Sequence, residues 1–259
     1  MNKTPAPHSI PADNASSSEA KPAEVTSDGG PAGNHSSSRM AWNGIKGAGA
    51  ATPAPKRILV ACEYSATVRD AFRARGFDAW SCDLLPTEGD PRWHIQGDAI
   101  EVARREPRWG HWDMMIAHPP CTHLAVSGAR HFAEKQADGR QQEALGFVAD
   151  LFSAPIKHIA LENPVSIISS RFRKPDQIIQ PWQFGHGETK ATCLWLTNLP
   201  KLRATNIVEG REPRIHRMAP GPDRWKERSR TFAGIAQAMA DQWGDFLMME
   251  RVSHGVHHG

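Results

Sequence analysis

The stretch RILVACEYSATVRDAFRARGFDAWSCDL, residues 57–84, decides the fold of this protein. Its first residues, 57–62, form a short apolar run of the length of a strand that is buried on both faces. Apolar side chains at helical spacing follow over 65–76, where Ser65 is expected to cap the helix. A second apolar run over 78–84 completes the order strand, helix, strand. This order predicts a βαβ unit with a right-handed crossover.

The same alternation continues along the rest of the chain. Further elements are predicted as strands over 112–117, 157–161 and 193–196, a short strand or turn over 94–100, and helices over 140–152 and 233–248. Repeated alternation of strands and helices predicts an α/β fold with a Rossmann-like, mostly parallel sheet and helices on both of its faces. In such sheets ligands bind at the carboxyl ends of the strands.

The two ends of the chain differ in composition from its middle. Residues 1–55 contain no Leu or Phe and consist largely of Pro, Ala, Ser and Gly. They cannot bury enough apolar surface to offset the entropy of ordering, so a disordered tail is predicted there. The His- and Gly-rich residues 249–259 are predicted to form a flexible tail. One folded domain is therefore expected over 56–248, with a small basic region over 199–231.

Composition argues against several classes of protein. The 259 residues contain no apolar run near the about 18 residues that mark a membrane-spanning helix. No apolar core of a signal peptide is present, so a cytoplasmic protein is expected. The four cysteines form no C-x-x-C pair and the histidines lack metal-ligand spacing, so no metal is expected. A formal net charge of +3 permits a nucleic-acid partner without requiring one.

Polar side chains follow the first predicted strands. Tyr64 and Ser65 come directly after the first strand, and Asp83 lies at the end of the second. A carboxylate at the position of Asp83 can accept both hydroxyls of a ribose, the alternative being a surface aspartate. Asp98 follows Gly97, which lets a ligand approach the backbone closely. Its carboxylate could accept a hydrogen bond from an adenine amino group, although Gly-Asp is also common in turns.

Cys121 and Glu162 are the candidate reactive groups. Pro119 and Pro120 stiffen the loop before Cys121, and a following helical turn is expected to lower the pKa of its thiol. A lower pKa would favour the nucleophilic thiolate, whereas an inert buried thiol is the alternative. Glu162 ends a strand, where a carboxyl with a raised pKa could donate a proton to a ring nitrogen. A structural salt bridge is the alternative for Glu162.

Taken in order, these features resemble the DNA (cytosine-5) methyltransferases, and most of all their short, phage- and prophage-type members. The family has a Pro-Cys motif followed by a Glu-Asn-Val motif, which are similar to residues 119–121 and 162–164 here. The resemblance extends over about 56–243 and implies the fold of the class I S-adenosylmethionine-dependent methyltransferases. It also implies that the Cys121 thiolate attacks C6 of a cytosine flipped out of double-stranded DNA, while Glu162 contacts N3.

The resemblance implies roles for further residues. Those that would bind S-adenosylmethionine or pack near it are Tyr64, Ser65, Asp83, Asp98 and Pro120. Asn163 would orient the Pro-Pro-Cys loop, and Lys190 would bind the base or a phosphate. In the basic region Arg211 and Arg214 are candidates for phosphate contact, the alternative being a solvated loop. The protein would act as a monomer, without a metal or a membrane.

Three positions depart from the family pattern. The cofactor loop over 63–67 has no glycine. Its backbone is therefore expected to adopt only the φ values that are allowed to residues with a side chain. Pro164 stands where the family usually has Val. Lys190 is a single cation in place of the family's pair of arginines, and a lysine lacks the planar fork of a guanidinium.

Other functions stay open on the sequence. An amino methyltransferase acting on adenine N6 or cytosine N4 would share the two prolines but would leave Glu162 without a role. A catalytically inert DNA-binding relative would account for the altered cofactor loop. An enzyme that transfers another group to C5, or that acts on a nucleotide instead of DNA, would use the same residues.

Overall fold

The sheet is the framework of the molecule. The computed structural model describes residues 54–104 and 110–255. Its strands are β1 Arg57–Ala61, β2 Asp78–Asp83, β3 His94–Gln96, β4 Met114–Ala117, β5 His158–Pro164, β6 Gln177–Ile179 and β7 Thr192–Thr197. They form one sheet in the order β3-β2-β1-β4-β5-β7-β6, in which β1 to β5 are parallel and β7 is antiparallel to both of its neighbours. The predicted Rossmann-like, mostly parallel sheet is confirmed.

Helices follow most of the strands. They are α1 Thr67–Ala74, α2 Ala99–Arg104, α3 Phe132–Ala137, α4 Arg140–Phe152, α5 Ile168–Arg171, α6 Arg214–Arg217, α7 Arg224–Ser229 and α8 Ala233–Gly255. The predicted helix over 140–152 coincides with α4. The last helix continues past residue 248 to Gly255, so part of the segment predicted as a flexible tail is helical. Residues 1–53 and 256–259, where the rest of the two predicted tails falls, lie outside the described residues.

Two apolar layers cover the two faces of the sheet. Alternate side chains of each central strand point to opposite layers, as Leu59 and Val60 of β1 do. One layer contains α2 and α4, and the other contains α1 and α8, whose Phe72 and Trp243 are fully buried. Burial on both faces explains why the central strands are short continuous apolar runs. No helix among the described residues is long and apolar enough to cross a membrane.

The start of α1 differs from the prediction that Ser65 caps it. The N-cap residue is Ala66, and the carboxylate of Glu63 takes over the capping. Its Oε1 accepts a hydrogen bond from the Val68 amide at 2.7 Å, and its Oε2 accepts one from the Arg69 amide at 3.1 Å. A carboxylate can satisfy two of the unpaired amides of a helix start, whereas a hydroxyl satisfies one.

The glycine-free loop after β1 adopts left-handed backbone at two positions. Cys62 has φ 60° and Ala66 has φ 63°. Both values lie in the small left-handed region that remains allowed to residues with a side chain, at a cost of about 1–2 kcal/mol each. The surrounding structure holds the loop in this shape, since the Glu63 amide donates to the Cys82 carbonyl at 3.1 Å. The loop therefore follows a path that glycine would adopt without strain.

A histidine at the amino end of β5 contacts two hydrogen-bonding partners, one through each ring nitrogen. His158 Nε2 lies 2.9 Å from Glu250 Oε2 of α8, and Nδ1 lies 2.8 Å from the Asn198 carbonyl. Lys157 Nζ donates to the other oxygen of Glu250 at 2.5 Å. These contacts attach the last turns of α8 to the sheet, which explains why the helix continues beyond its predicted end.

Candidate active site

The strand register brings separate parts of the sequence together at the carboxyl edge of the sheet. Ala61 of β1 pairs with Ala117 of β4, and Ala117 pairs with Leu161 of β5. Cys62, His118 and Glu162 each come directly after one of these three paired residues. They therefore lie side by side at the carboxyl edge of the sheet. The His118 amide also donates to the Ala61 carbonyl at 2.9 Å, which continues the β1–β4 pairing past the strand end.

The Pro-Pro-Cys loop is held at both of its ends. Asn163 Nδ2 donates to the Pro119 carbonyl at 2.9 Å in a buried hydrogen bond. After Cys121 the chain makes a tight turn, in which the Cys121 carbonyl accepts from the amides of residues 124 and 125. Buried Lys135 of α3 donates to the Thr122 carbonyl at 2.5 Å. Contacts with β5 and α3 thus fix the position of the Cys121 backbone.

The Cys121 thiol has a raised pKa. Burial is the largest cause, the charge of Glu162 adds to it, and the charges of Lys190 and Arg228 oppose it. The expectation that the following turn lowers this pKa is wrong, because one turn cannot offset the loss of hydration and a nearby carboxylate. The group is therefore a thiol at rest near neutral pH and must lose its proton to act as a nucleophile.

Glu162 forms an ion pair with His118 close to Cys121. Glu162 Oε2 lies 3.1 Å from His118 Nδ1, and the two side chains are 13% and 9% exposed. Burial opposes ionisation of Glu162, but the hydrogen bond and charge of His118, together with the charge of Lys190, outweigh it and lower the pKa. Of the two possibilities that the sequence left open for Glu162, a carboxyl with a raised pKa or a salt bridge, the structure has the second, and the resting form is the carboxylate.

Two buried polar atoms at this edge have no hydrogen-bond partner within the described part of the chain. They are His118 Nε2 and Asn163 Oδ1. Glu63 lies close enough to His118 for their charges to interact, and burial raises the pKa of Glu63 although His118 and the two α1 amides oppose this. Buried polar groups are nearly always paired in folded proteins, so unpaired ones at a strand edge mark a candidate site.

The antiparallel strand β7 explains how Lys190 reaches the site. Pro164 at the end of β5 pairs with Thr192 at the start of β7, so the residues just before β7 lie beside the carboxyl end of β5. Lys190 Nζ donates to the Arg230 carbonyl at 3.1 Å, and its positive charge works to lower the pKa of both Cys121 and Glu162. If β7 ran parallel to β5, this residue would lie at the opposite edge of the sheet.

The basic helix α7 is attached to the loop after β1. The Tyr64 hydroxyl donates to the Lys226 carbonyl at 3.1 Å and lies 3.1 Å from Ser229 Oγ. The Tyr64 and Trp225 rings are 5.9 Å apart, and Trp225 is 51% exposed. This attachment brings Arg228 close enough to act on the Cys121 thiol, a role that its place in a run of basic residues did not single out.

The candidate cofactor carboxylates lie at the ends of β2 and β3. Asp83 Oδ1 accepts from the Leu85 amide at 2.9 Å, and Asp98 Oδ1 accepts from the Ile100 amide at 2.7 Å, which caps α2. Both carboxylates add to the effect of burial in raising the pKa of the Cys62 thiol, so the two acids converge on one region. In Asp83 and in Asp98 alike, Oδ1 is the carboxylate oxygen that accepts the described hydrogen bonds. Asp98 is exposed and Asp83 is half-buried.

The remaining predicted residues are spread around this edge. Ser65 Oγ lies 3.1 Å from Thr67 Oγ1, and Pro120 is exposed beside Cys121. Arg211 stacks its guanidinium 3.9 Å from the centre of the Trp182 ring, and Arg214 Nε donates to Glu188 Oε1 at 3.0 Å. Through these contacts the two arginines, which follow β7 in the chain, pack against residues that precede β7, and both arginines are exposed.

No metal site accompanies these residues in the part of the chain that the structure describes. Residues 54–104 and 110–255 contain no group of three or more His, Cys, Asp or Glu side chains that could hold a metal ion. The cysteines at 62, 82, 121 and 193 are all free thiols. The polar side chains at this edge are a thiol, carboxyl groups, an imidazole and cationic groups.

Neither a protein-family model nor a curated protein matches this chain. Among solved structures it is similar to an E. coli protein encoded within a prophage and proposed to be a DNA modification methyltransferase. That similarity has a TM-score of 0.38 and a sequence identity of 14%, and it covers 54% of this chain. It spans 46% of the neighbour's length, which is less than half of that protein.

Proposed function

We propose that this protein methylates cytosine C5 in DNA with S-adenosylmethionine as the methyl donor. One observation carries the proposal: a cysteine and a glutamate from distant parts of the sequence act on each other at one edge of the sheet. The charge of Glu162 raises the pKa of the Cys121 thiol, and Lys190 acts on both groups. A nucleophilic thiol beside a carboxyl group suits covalent attack on a ring together with proton transfer to a ring nitrogen.

In the proposed reaction the cytosine is flipped out of the duplex, because its ring atoms cannot be reached inside the stack. Cys121 Sγ adds to C6, the C5=C6 electron pair moves to the C4–C5 bond, and N3 gains a proton on the side of Glu162. S-adenosylmethionine, when bound, supplies the methyl group that C5 takes. Loss of the C5 proton and cleavage of the Sγ–C6 bond then release the methylated base and restore Cys121.

The residues at the ends of β2 and β3 fit such a cofactor. Asp83 and Asp98 converge on one region, and their described hydrogen bonds leave Oδ2 of each for a ribose hydroxyl or an adenine amino group. Leu84 next to Asp83 is 73% exposed and offers apolar surface to a base. A Cβ on Gly97 would meet no atom within 4 Å, so there is space beside Asp98.

Basic side chains near the site suit the phosphates of DNA. Lys190 and Arg228 act on Cys121, while Arg211 and Arg214 are exposed on the neighbouring segment. Phosphate contacts supply affinity without reading sequence, so these residues would position the duplex and leave base recognition to other groups. Exposed Trp225 on α7 is a flat side chain on which an unstacked base could rest.

The test uses the purified protein, S-adenosylmethionine and duplex DNA that carries 5-fluorocytosine. Fluorine at C5 prevents the final proton loss, so a reaction that begins with thiol attack stops as a protein–DNA adduct that survives denaturation. We expect the adduct to form, to map to Cys121 and to carry one added methyl group. Cys121→Ser is expected to give no detectable adduct while it retains DNA binding, since a serine hydroxyl is a far weaker nucleophile at neutral pH.

The other outcomes point to the alternative functions. Methyl transfer to DNA without an adduct, at adenine N6 or cytosine N4, would replace the proposal with an amino methyltransferase. DNA binding without cofactor binding or methyl transfer would indicate an inert DNA-binding relative. An adduct that carries another group, or one formed with a free nucleotide in preference to DNA, would keep the thiol chemistry and change the substrate.

A further inference from the structure

We propose that His118 is a positioning residue that holds, next to Glu162, the proton which N3 of the target base takes up when Cys121 attacks. This inference rests on the proposed function and deepens it. His118 acts through Glu162, whose Oε2 lies 3.1 Å from His118 Nδ1. The pair would work as a relay in which His118 gives a proton to the Glu162 carboxylate and Glu162 passes it to the base.

The geometry of the pair is fixed by the sheet. Glu162 belongs to β5, and the His118 amide donates to the Ala61 carbonyl, so both backbones are held in strand pairing. The two side chains are 13% and 9% exposed, which shields the hydrogen bond between them from water. A proton relay needs donor and acceptor at hydrogen-bond distance before the substrate arrives, and this pair meets that condition.

Charged groups surround the His118–Glu162 pair. The His118 imidazole interacts with two carboxyl groups, Glu162 through a hydrogen bond and Glu63 through charge. The charge of Lys190 acts on Glu162, and the charges of Lys190 and Arg228 act on Cys121. Because the pKa of Glu162 is lowered, Glu162 holds no proton of its own for N3 and needs a donor within hydrogen-bond distance. His118 Nδ1, 3.1 Å from Oε2, is at that distance.

The unpaired nitrogen separates His118 from a structural histidine. His118 Nε2 is buried and has no hydrogen-bond partner among the described residues, whereas both ring nitrogens of His158 have partners. Leaving a buried polar atom unpaired costs stability. A histidine whose task is only to hold the fold would gain from a second partner. The cost is explained if the ring is needed for its proton.

Each proton has a donor and an acceptor over the whole reaction. Cys121 loses its thiol proton to water before the attack. As the Sγ–C6 bond forms, His118 Nδ1 gives its proton to the Glu162 carboxylate, Glu162 passes a proton to N3, and the C4=N3 electron pair binds it. When water takes the C5 proton and the Sγ–C6 bond breaks, N3 returns its proton through Glu162 to His118 Nδ1, and the Cys121 thiolate regains a proton from water.

The test compares His118→Asn with the wild type and with His158→Asn as a matched control. Asparagine keeps an N–H near the position of Nδ1 and can hold Glu162 in place, but it has no proton to give. The rate of adduct formation with 5-fluorocytosine DNA and S-adenosylmethionine is measured from about pH 6 to 10, together with DNA affinity and thermal unfolding. We expect His118→Asn to lower the rate at least about 100-fold with DNA affinity unchanged, a loss typical of a missing acid–base group.

The pH profile is the readout that a structural role would not change. Wild type and His158→Asn should share one pH profile, because the Glu162–His118 pair is intact in both. His118→Asn should have a profile of different shape, because asparagine does not titrate. A rate within about threefold of wild type, or an unchanged profile, would overturn the relay. If His118→Asn does not fold, His118→Gln takes its place, and the same two outcomes overturn the relay. No adduct with wild-type protein at any pH would overturn both the relay and the proposed function.

Discussion

One strand carries a histidine–glutamate pair at each of its ends, and the two pairs are built differently. At the amino end of β5, His158 Nε2 lies 2.9 Å from Glu250 and Nδ1 lies 2.8 Å from a carbonyl. At the carboxyl end, Glu162 lies 3.1 Å from His118, whose other nitrogen is buried without a described partner. In the amino-end pair both histidine nitrogens have a partner, whereas in the carboxyl-end pair one histidine nitrogen has none among the described residues.

The difference shows that residue type alone does not separate a structural group from a reactive one. Both pairs contain a mostly buried histidine, and both glutamates have a lowered pKa. What separates them is whether every polar atom is satisfied, because a fold gains nothing from an unpaired buried nitrogen. Each prediction below alters both ends of β5 in the same way and compares the results.

The largest contrast is expected between Glu162→Gln and Glu250→Gln. Glutamine has nearly the shape of glutamate but cannot transfer a proton, so Glu162→Gln should lower the rate of adduct formation by about 100- to 1,000-fold. Glu250→Gln should stay within about threefold of wild type, because Glu250 lies at the opposite end of the strand. Single-turnover gel assays with 5-fluorocytosine DNA measure both rates. Equal losses in the two variants would contradict the assignment of the two ends.

For the free energy of unfolding the order is expected to reverse, with the larger loss at the amino end of β5. His158→Leu removes two hydrogen bonds, one to the Asn198 carbonyl and one to Glu250, so the free energy of unfolding should fall by about 1–3 kcal/mol. His118→Leu removes one such bond and also an unpaired nitrogen, so its loss should be smaller. Denaturant unfolding of each variant with far-UV circular dichroism measures the difference. A larger loss for His118→Leu would mean that the carboxyl-end pair is the structural one.

A smaller effect is expected in acid. The pKa of Glu250 is lowered by its hydrogen bonds to Lys157 and His158, although burial opposes this. Its ionised form therefore stabilises the fold above the pKa of about 4.3 in the unfolded chain, and that stability is lost as the pH falls through the lower folded value. Glu162 behaves in the same way, but Glu63, whose pKa is raised, has the opposite sign.

Both ends of β5 should therefore contribute to the acid-dependent loss. Wild type should lose stability between about pH 5 and 3, and Glu250→Gln should lose less over that range, because glutamine does not titrate. Glu162→Gln should also lose less than wild type, because it removes the other glutamate with a lowered pKa, while Glu63 contributes equally to all three proteins. Urea unfolding at several pH values tests this. Parallel curves for wild type and Glu250→Gln would show that Glu250 does not stabilise the fold through its charge.

Long periodic segments of the sequence were sufficient to predict the framework. The helix over 140–152 and the central strands agree with the structure because their apolar spacing is set by burial within one element. Short elements were not predicted, among them β6, which has three residues, and α2, which has six. Segments of this length contain too few residues for a period to be visible. Asp98, interpreted only as a ligand group, also caps α2.

The sequence named candidate residues but did not predict the electrostatics around them. The pKa of Cys121 was expected to be lowered and is raised, and Glu162 forms the ion pair that the sequence left as its alternative role. The causes are burial and charges from other elements: Lys190 before the antiparallel strand β7, Arg228 of α7 and, for Glu162, His118 after β4. Local sequence reports only neighbouring residues, whereas a buried charge is governed by whatever the fold places around it.

The packing of the last long helix on the first has a consequence for synthesis on the ribosome. Apolar side chains of α1, such as Phe72, are covered by residues of α8 such as Met239 and Trp243, and Arg75 Nη1 donates to the Ala240 carbonyl. The nascent chain can pair β1, β2 and β4 early, yet one face of the young sheet stays uncovered until α8 emerges. During that interval apolar surface is exposed to water and is prone to aggregate. This is therefore the stage at which chaperones can bind the chain most readily.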